Sequence, residues 1–444
     1  MITFKIGGVH PHDNKIAKEA AIQTLTPPAQ VAISMAQHLG APATAVVAKG
    51  DKVLVGQVIG EPAGFISGFV HSSVSGTVAA VEPRADIAGN LVPHVVVNVE
   101  GDEWEPSIDR STTVVRDMTA TRDEILAKVK AAGIVGMGGA TFPTHVKLNP
   151  PEGKNAEFLI INGAECEPYV TSDDRLMRER PDGIVVGAAL MAKALGGCKV
   201  YICIEENKPE AIEAIQKACG HFNDIKVLKL KKKYPQGGEK QLIDAVTGRQ
   251  VPSGALPIDT GCVVQNVATA YAVYEAIQKN KPLFERVMTV TGQCLDEKRN
   301  YMVRLGTPLS YILEAAGGVP EKAAKFISGG PMMGKAIANL DATTQKGSSC
   351  LLMLTEEQTR RKPESNCIRC AKCSDACPMG LEPWLLNKLS RAGGQYEALE
   401  AEKIFDCIEC GCCLYTCPAN IPLLDIIRVN KAEVMKIIRS RAKK

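Results

Sequence analysis

Two cysteine runs near the C-terminus constrain this chain more than anything else in it. The segment NCIRCAKCSDACPMG carries Cys367, Cys370, Cys373 and Cys377, followed by Pro378. The segment DCIECGCCLYTCPAN carries Cys407, Cys410, Cys413 and Cys417, followed by Pro418. Each reads C-x2-C-x2-C-x3-C-P, the spacing that holds a [4Fe–4S] cubane. Three thiolates two residues apart wrap three irons of one cubane in a tight loop. The fourth cysteine lies too far round to close that cluster, so it ligates the other one. The spacing therefore predicts crosswise ligation: Cys367, Cys370, Cys373 and Cys417 on one cluster, Cys407, Cys410, Cys413 and Cys377 on the second. Structural zinc often uses two separated C-x2-C pairs, and two complete runs argue against it. Cys412 breaks the spacing and reads as a bystander. Cys198, Cys203, Cys219, Cys262, Cys294 and Cys350 are scattered and read mostly as small core residues. Cys166 is set apart by its acidic loop.

Nine of the sixteen cysteines fall between Cys367 and Cys417. Met1–Gly8 has no apolar leader run, so patterned cysteines point to metal in a cytosolic setting rather than to disulfides. At roughly 100–200 residues per domain, the length suggests three domains or four. Lys+Arg 52 against Asp+Glu 49 leaves a net +3, which does not support nucleic-acid binding. The runs Pro27–Ala48 and Pro62–Val81 lack Asp, Glu, Lys and Arg. Pro, Gly, Ser, Gln and His break both, so neither reads as a membrane span.

Short Val-rich runs between residues 40 and 100, punctuated by glycine, predict a compact β module. GDKVLVGQVIGEPAGF followed by VHSSVSGTVAAVEP resembles a biotinyl/lipoyl-type barrel sandwich. The cofactor-bearing lysine is not evident, so its expected role is structural. Residues 120–280 alternate strands and helices, which predicts an α/β domain. Thr121 and Glu124 form a capping box for a helix ending at Ala132–Gly133. Strands are expected at Glu157–Asn162, Lys199–Ile204 and Ile225–Leu230, with helices at 183–195, after Pro209, and at 263–278. Residues 285–338 read as a small α+β unit, and 339–363 as a connector. A helical insert is expected between the cysteine runs. Leu423–Lys444 reads as a helix with an apolar stripe and a basic face, suited equally to its own surface and to a partner or anionic lipid.

Two loops carry candidate chemistry. AAGIVGMGGATFPTHVK holds Gly133, Gly136, Gly138 and Gly139, then Phe142 and Lys147. Successive glycine N–H groups can cradle a phosphate. The loop follows a helix and lacks the G-x-G-x-x-G spacing, so alone it reads equally as a turn. NGAECEPYVTSDDR, at the end of the first strand, offers Asn162, Glu165, Glu167, Asp173 and Asp174. Loops at strand C-termini form the ligand crevice of α/β sheets. The lysines Lys231–Lys233 read first as a solvated face, and His10 and His12 as turn residues.

Together, GMGGATFPTHVK and NGAECEPYVTSDDR resemble the glycine-rich and NADExEP loops of the flavin- and NADH-binding subunit of respiratory complex I. PQGGEKQLI and QNVATAYAVYEAI resemble further segments of that family. The opening GGVHPHDNK, the barrel sandwich and the paired cysteine runs resemble a narrower family over essentially the whole chain. It is that of the C subunits of Rnf (or Rsx) ion-translocating ferredoxin:NAD oxidoreductase complexes. The resemblance implies a multidomain α/β and α+β fold. Its parts would be an N-terminal barrel-sandwich module (1–118), an FMN/NAD-binding α/β domain (119–282), a β-grasp, SLBB-like module (283–340) and a helical two-cluster ferredoxin domain (360–444).

The resemblance also implies FMN on Gly136, Gly138, Gly139, Lys147, Asn162 and Asn266, with Phe142, Glu239, Lys240 and the catalytic pair Glu165 and Glu167 near NAD(H). It departs from complex I in carrying two clusters and in placing Ala164 where NADExEP has aspartate. The implied activity is an NAD:ferredoxin oxidoreductase at the cytoplasmic side of the membrane, peripheral, partnered by the other Rnf subunits. The electron path would run through FMN and two [4Fe–4S] clusters. The alternatives are a cobalamin reductase of the propanediol-utilisation type and a non-catalytic iron–sulfur relay.

Overall fold

A computed structural model describes residues 1–441; the last three residues of the segment Leu423–Lys444 lie outside them. Near the N-terminus, Gln30–Ser34, Leu91–Val99, Gly76–Ala85 and Lys52–Val53 form one antiparallel sheet, in that order. Thr44–Ala45, Val58–Glu61 and Val70–His71 form a second. The β-branched side chains of Val31, Ile33, Val78, Val95 and Val97 join Ile59 and Val70 in one buried core. This is the expected sandwich, closed where a Cβ on Gly60 would stand 2.8 Å from the Met35 sulfur.

The α/β unit opens with α1 (Arg122–Ala131), whose Thr121–Glu124 capping box forms as expected. Then follow β1 (Phe158–Gly163), α2 (Ser172–Glu179), α3 (Pro181–Ala194), β2 (Lys199–Glu205), α4 (Pro209–Cys219), β3 (Ile225–Leu230), α5 (Glu239–Thr247), β4 (Cys262–Asn266) and α6 (Val267–Gln278). The four strands are all parallel, in the order β3-β2-β1-β4. Helix α3 is buried around most of its surface, as an apolar helix between two layers must be. A Cβ on Gly187 would meet the Ala270 carbonyl at 1.8 Å, so glycine there lets α3 and α6 touch backbone to backbone.

The expected helix at 263–278 divides. Cys262–Asn266 is a fully buried strand, and Asn266 then caps α6 by accepting from Ala268 N–H. A short buried apolar run does not distinguish strand from helix by periodicity. The expected connector also holds structure: Cys350–Thr355 is a strand inside a six-stranded mixed sheet. That sheet runs Ile22–Thr24, Arg299–Arg304, Glu285–Thr291, Cys350–Thr355, Ala323–Ser328, Lys335–Ala336. Helix Leu309–Ala315 packs on it and ends near Gly317–Gly318.

The cysteine-rich unit contains α7 (Pro383–Ala392), α8 (Tyr396–Ala401) and α9 (Leu423–Arg441). The stripe of α9 closes its own unit, with Ile427 and Val434 buried against Leu386, Leu399 and Ile404. Its basic residues pair locally: Arg428 and Lys431 lie 3.1 and 3.0 Å from the Glu409 carboxylate, and Arg441 2.8 Å from Glu400. Among the described residues no helix is long and apolar enough to cross a membrane.

The N-terminal strap ties this unit to the parallel sheet. Gly8 N–H donates to the Ala376 carbonyl at 3.0 Å, and Val9 and Tyr234 exchange two backbone hydrogen bonds. Removing buried apolar volume from α9 should loosen the unit. Ile427→Ala should lower stability by about 2–5 kcal/mol. Val429→Ala, at a position 64% exposed, should stay within about 0.5 kcal/mol. Urea midpoints followed by circular dichroism would check both.

Candidate functional site

In an open parallel sheet, ligands settle outside the strand C-termini where the strand order reverses. Here that point lies between β1 and β4. Asn162 and Asn266 are register partners across it. The Asn266 amide donates to the Asp173 carboxylate at 2.7 Å, and the Asn162 amide donates to the Gly237 carbonyl at 2.8 Å. Loop 136–142 stands over this rim. Gly136 N–H donates to the Phe142 carbonyl, which closes the loop. Met137 N–H donates to Thr269 Oγ1 at 2.9 Å, which pins it to α6.

The glycines differ in what they permit. A Cβ on Gly138 would stand 3.0 Å from the Asn266 side chain. A Cβ on Gly139 would meet nothing within 4 Å, and its backbone is not left-handed. Protein packing therefore does not require glycine at 139, whereas a phosphate approaching the backbone would. Among the described residues, the N–H groups of Gly138, Gly139 and Ala140 have no backbone acceptor. Beside the loop, Lys147 Nζ lies 2.7 Å from Glu239 Oε1, at the start of α5. Lys240 turns away from Lys147, toward Asp406 at 4.0 Å. The rim thus has three backbone N–H groups without a backbone acceptor, two amides and two helix N-termini, and it fits FMN.

The two glutamates are held differently. Glu165 is buried and accepts from the N–H groups of Asp173 and Asp174 at the start of α2, at 2.7 and 3.2 Å. Its backbone is left-handed, at φ 43°. Burial raises its carboxyl, and Lys15 beside it opposes that shift. Glu167 accepts from Met332 and Met333 N–H at 3.1 and 2.7 Å and from the Tyr234 hydroxyl at 3.3 Å. Burial raises this carboxyl too, with the two methionine N–H groups opposing.

Tyr234 is not singled out by the sequence. The Tyr234 hydroxyl lies 2.9 Å from the Cys410 carbonyl, and Gln241 Nε2 lies 3.1 Å from the Pro378 carbonyl. Both flank PQGGEK, the only sequence signal available for them. Cys166 accepts from Gly237 N–H at 3.4 Å, and burial pushes its thiol up to about 12. Of the three lysines, Lys233 sits over the Phe4 ring and Lys232 pairs with Asp13 at 3.2 Å. They bind the N-terminal strap.

Cys377, Cys407, Cys410 and Cys413 line one cavity together with Pro378, Met379, Leu386 and Ile427. Three come from the second cysteine run and one from the first. Cys373 and Cys417, from different runs, pack on another apolar cluster. Burial pushes the Cys407 thiol up to about 11 and raises those of Cys377 and Cys413. Such thiols become thiolates only when a metal displaces their protons. Among the described residues no three His, Cys, Asp or Glu side chains converge tightly enough for a single ion. A cubane spreads its four thiolates over four irons, and the cavity suits it. Cys412 also lines this cavity, and it is buried against Tyr234 and Cys166 as well.

Four families match in chain order. They are the RnfC barrel sandwich hybrid domain over residues 2–102, the Nuo51 FMN-binding domain over 129–275, the SLBB domain over 287–336 and the 4Fe-4S dicluster domain over 360–418. Fold and site together define an electron-transfer protein with an FMN-binding domain and a dicluster domain.

Three relatives narrow this further. The C subunit of the Na(+)-translocating ferredoxin:NAD(+) oxidoreductase complex of Acetobacterium woodii is 45% identical, over 98% of this chain and 97% of that one. The C subunit of the proton-translocating ferredoxin:NAD(+) oxidoreductase complex of Clostridium ljungdahlii is 44% identical, over 96% and 93%. The C subunit of the ion-translocating oxidoreductase complex of Rhodobacter capsulatus is 43% identical, over 87% and 75%. The chain belongs to the family of C subunits of ion-translocating ferredoxin:NAD(+) oxidoreductase complexes.

The geometry of the rim and of the cavity can be tested separately. Gly139→Val should abolish FMN retention while both clusters remain, because the added side chain enters only the cradle; flavin and iron content of the purified variant would check it. Cys377→Ser should perturb the same cluster as Cys410→Ser, and Cys412→Ser should perturb neither. Electron paramagnetic resonance of the reduced variants distinguishes this from each run closing its own cluster, in which Cys377→Ser would match Cys370→Ser.

Proposed function

We propose that this chain exchanges electrons between NAD(H) and a redox partner subunit through FMN and its two [4Fe–4S] clusters. Ion movement would belong to other subunits of the complex. The observation that carries the proposal is the Tyr234 hydroxyl, which touches both Glu167 and the Cys410 carbonyl. It joins the rim of the parallel sheet to the thiol-lined cavity.

In this reading the N–H groups of Gly138 and Gly139 and the Lys147 ammonium hold the FMN phosphate, and Gly136 closes the loop that presents them. Asn162 and Asn266 orient the flavin over the β1–β4 switch point. Phe142 and Glu239 lie on the nucleotide side, whereas Lys240 reaches toward Asp406. Glu165 and Glu167 position NAD(H), Glu165 by fixing the start of α2 and Glu167 by fixing the Met332–Met333 turn. FMN, when bound, supplies the exchange between a two-electron hydride and single electrons. The cluster on Cys377, Cys407, Cys410 and Cys413 stands nearer the flavin, and that on Cys367, Cys370, Cys373 and Cys417 farther out. The other subunits of the complex would receive or deliver electrons there, with this chain peripheral on the cytoplasmic face.

Anaerobically prepared protein should hold about eight irons and one FMN per chain, and NADH should bleach the cluster absorbance. Stoichiometric zinc without iron would refute the proposal. Glu167→Gln replaces one acceptor oxygen by a donor facing an N–H of the Met332–Met333 turn. FMN should stay bound, and NADH-driven bleaching should slow by about tenfold or more. Stopped-flow absorbance would measure it.

A further inference from the structure

Beneath the glycine loop lie two buried basic side chains that belong to neither the rim, the two glutamates nor the thiols. Lys346 is 0% exposed. Its ammonium donates to the carbonyls of Gly133 and Phe69 at 2.7 and 2.8 Å. Arg286, 3% exposed, donates to the carbonyls of Met137 at 3.4 Å, of Val287 at 3.1 Å, and of Lys346. Both side chains come from the mixed-sheet unit, yet both end on carbonyls of residues 133–137. Among the described residues neither has a carboxylate within ion-pair distance. The anion that acts on Arg286 is Asp173, itself committed to Asn266. Burial alone pushes the Lys346 ammonium down to about 7, with no opposing anion.

Buried charges are ordinarily paired, and an Arg and a Lys that both end on carbonyls beneath a loop of free N–H groups point to an anion that completes them. Backbone geometry indicates where it sits. Met137 and Gly138 share a trans peptide, whose C=O and N–H point opposite ways. Arg286 draws the Met137 carbonyl downward, so the Gly138 N–H points up, to the exposed side of the loop. Lys346 anchors the loop's other end at Gly133, where a Cβ would stand 2.8 Å from its ammonium.

We propose that Arg286 and Lys346 are positioning residues for the FMN phosphate: a buried cationic floor that aims the glycine-loop N–H groups and sets phosphate affinity. The proposal rests on the FMN site of the proposed function. It also assigns the mixed-sheet unit a part in flavin binding, across a domain boundary.

The test uses full-length protein with both clusters reconstituted and no flavin. It is titrated with FMN and with riboflavin, which lacks the phosphate, and flavin fluorescence is followed. Arg286→Met and Lys346→Met should each weaken FMN binding by about tenfold or more and leave riboflavin binding within about twofold. Arg286→Lys should bind FMN more tightly than Arg286→Met. Equal losses for the two flavins would make both residues ordinary core supports and overturn the proposal.

If a methionine variant fails to fold, the unmodified protein decides. Its preference for FMN over riboflavin should persist from about 50 mM to about 1 M KCl, because buried charges are screened far less than exposed ones. Collapse of that preference at high salt would assign phosphate affinity to the part-exposed Lys147 and overturn the floor. Retention of FMN by Gly139→Val would overturn the flavin site itself, a failure distinct from either.

Discussion

The contact between the rim of the parallel sheet and the thiol-lined cavity is what the other parts of the structure serve. Electrons move between cofactors only across short, fixed gaps, so two units of different architecture must be locked together. The lock is polar and buried: Tyr234 to Cys410, Gln241 to Pro378, Gly8 to Ala376. Each is a directional bond whose loss would strand a buried group at a cost of about 1–3 kcal/mol. That cost makes the docking unique, where an apolar seam alone would tolerate sliding.

The same logic explains the charge buried behind the rim. Lys15 donates to the carbonyls of Glu165 and Glu167 at 2.7 and 3.0 Å, and Lys208 to that of Ala164 at 2.7 Å. Two ammonium groups thus hold a loop whose backbone at Glu165 and Tyr169 is left-handed, a strain of roughly 1–3 kcal/mol per residue. Burying them is expensive, and apolar residues would hold the loop at lower cost. What the ions add is orientation: carbonyls turned inward leave the two glutamates aimed at helix α2 and at the Met332–Met333 turn. The N-terminal segment GGVHPHDNK, marked in the sequence only by its family resemblance, supplies Lys15 to this arrangement.

Much of this is legible in the sequence. The cysteine spacing predicts crosswise ligation, and the structure brings Cys377 into one cavity with the thiols of the second run. The capping box at Thr121, the barrel sandwich and three of the four parallel strands are also readable, because local periodicity and glycine punctuation encode them. The missed elements share one physical property. Strands Cys262–Asn266 and Cys350–Thr355 are buried on both faces, so they show no alternation, and their identity is set by neighbours distant in sequence. Helix α5 hides behind PQGG, although Glu239 in its first turn and Gly248 as a left-handed stop are both present. The buried ions Lys15, Lys208, Lys346 and Arg286 look like surface residues in a linear sequence. Only the fold shows that all four rest on carbonyls, Lys15 and Lys208 also beside the carboxylates of Glu165 and Glu205.

The two cysteine sets differ in a way that bears on direction. Cys377, Cys410 and Cys413 are buried, whereas Cys367 and Cys370 are exposed. Solvent near a cluster stabilises its more highly charged state and shifts its potential, as do hydrogen bonds to its sulfurs. Neighbouring cubanes built from the same spacing therefore cannot be electrically equivalent here. The inner one is walled by Met379, Leu386 and Ile427 and faces the sheet rim; the outer one carries the exposed Ile368 beside its thiols. On the proposed path, an electron leaving the rim would meet the dry site first and the wet site last. The polarity of that proposed path would follow from which face of a small helical unit is pressed against the α/β domain. The N-terminal strap, Tyr234 and Gln241 fix that choice of face.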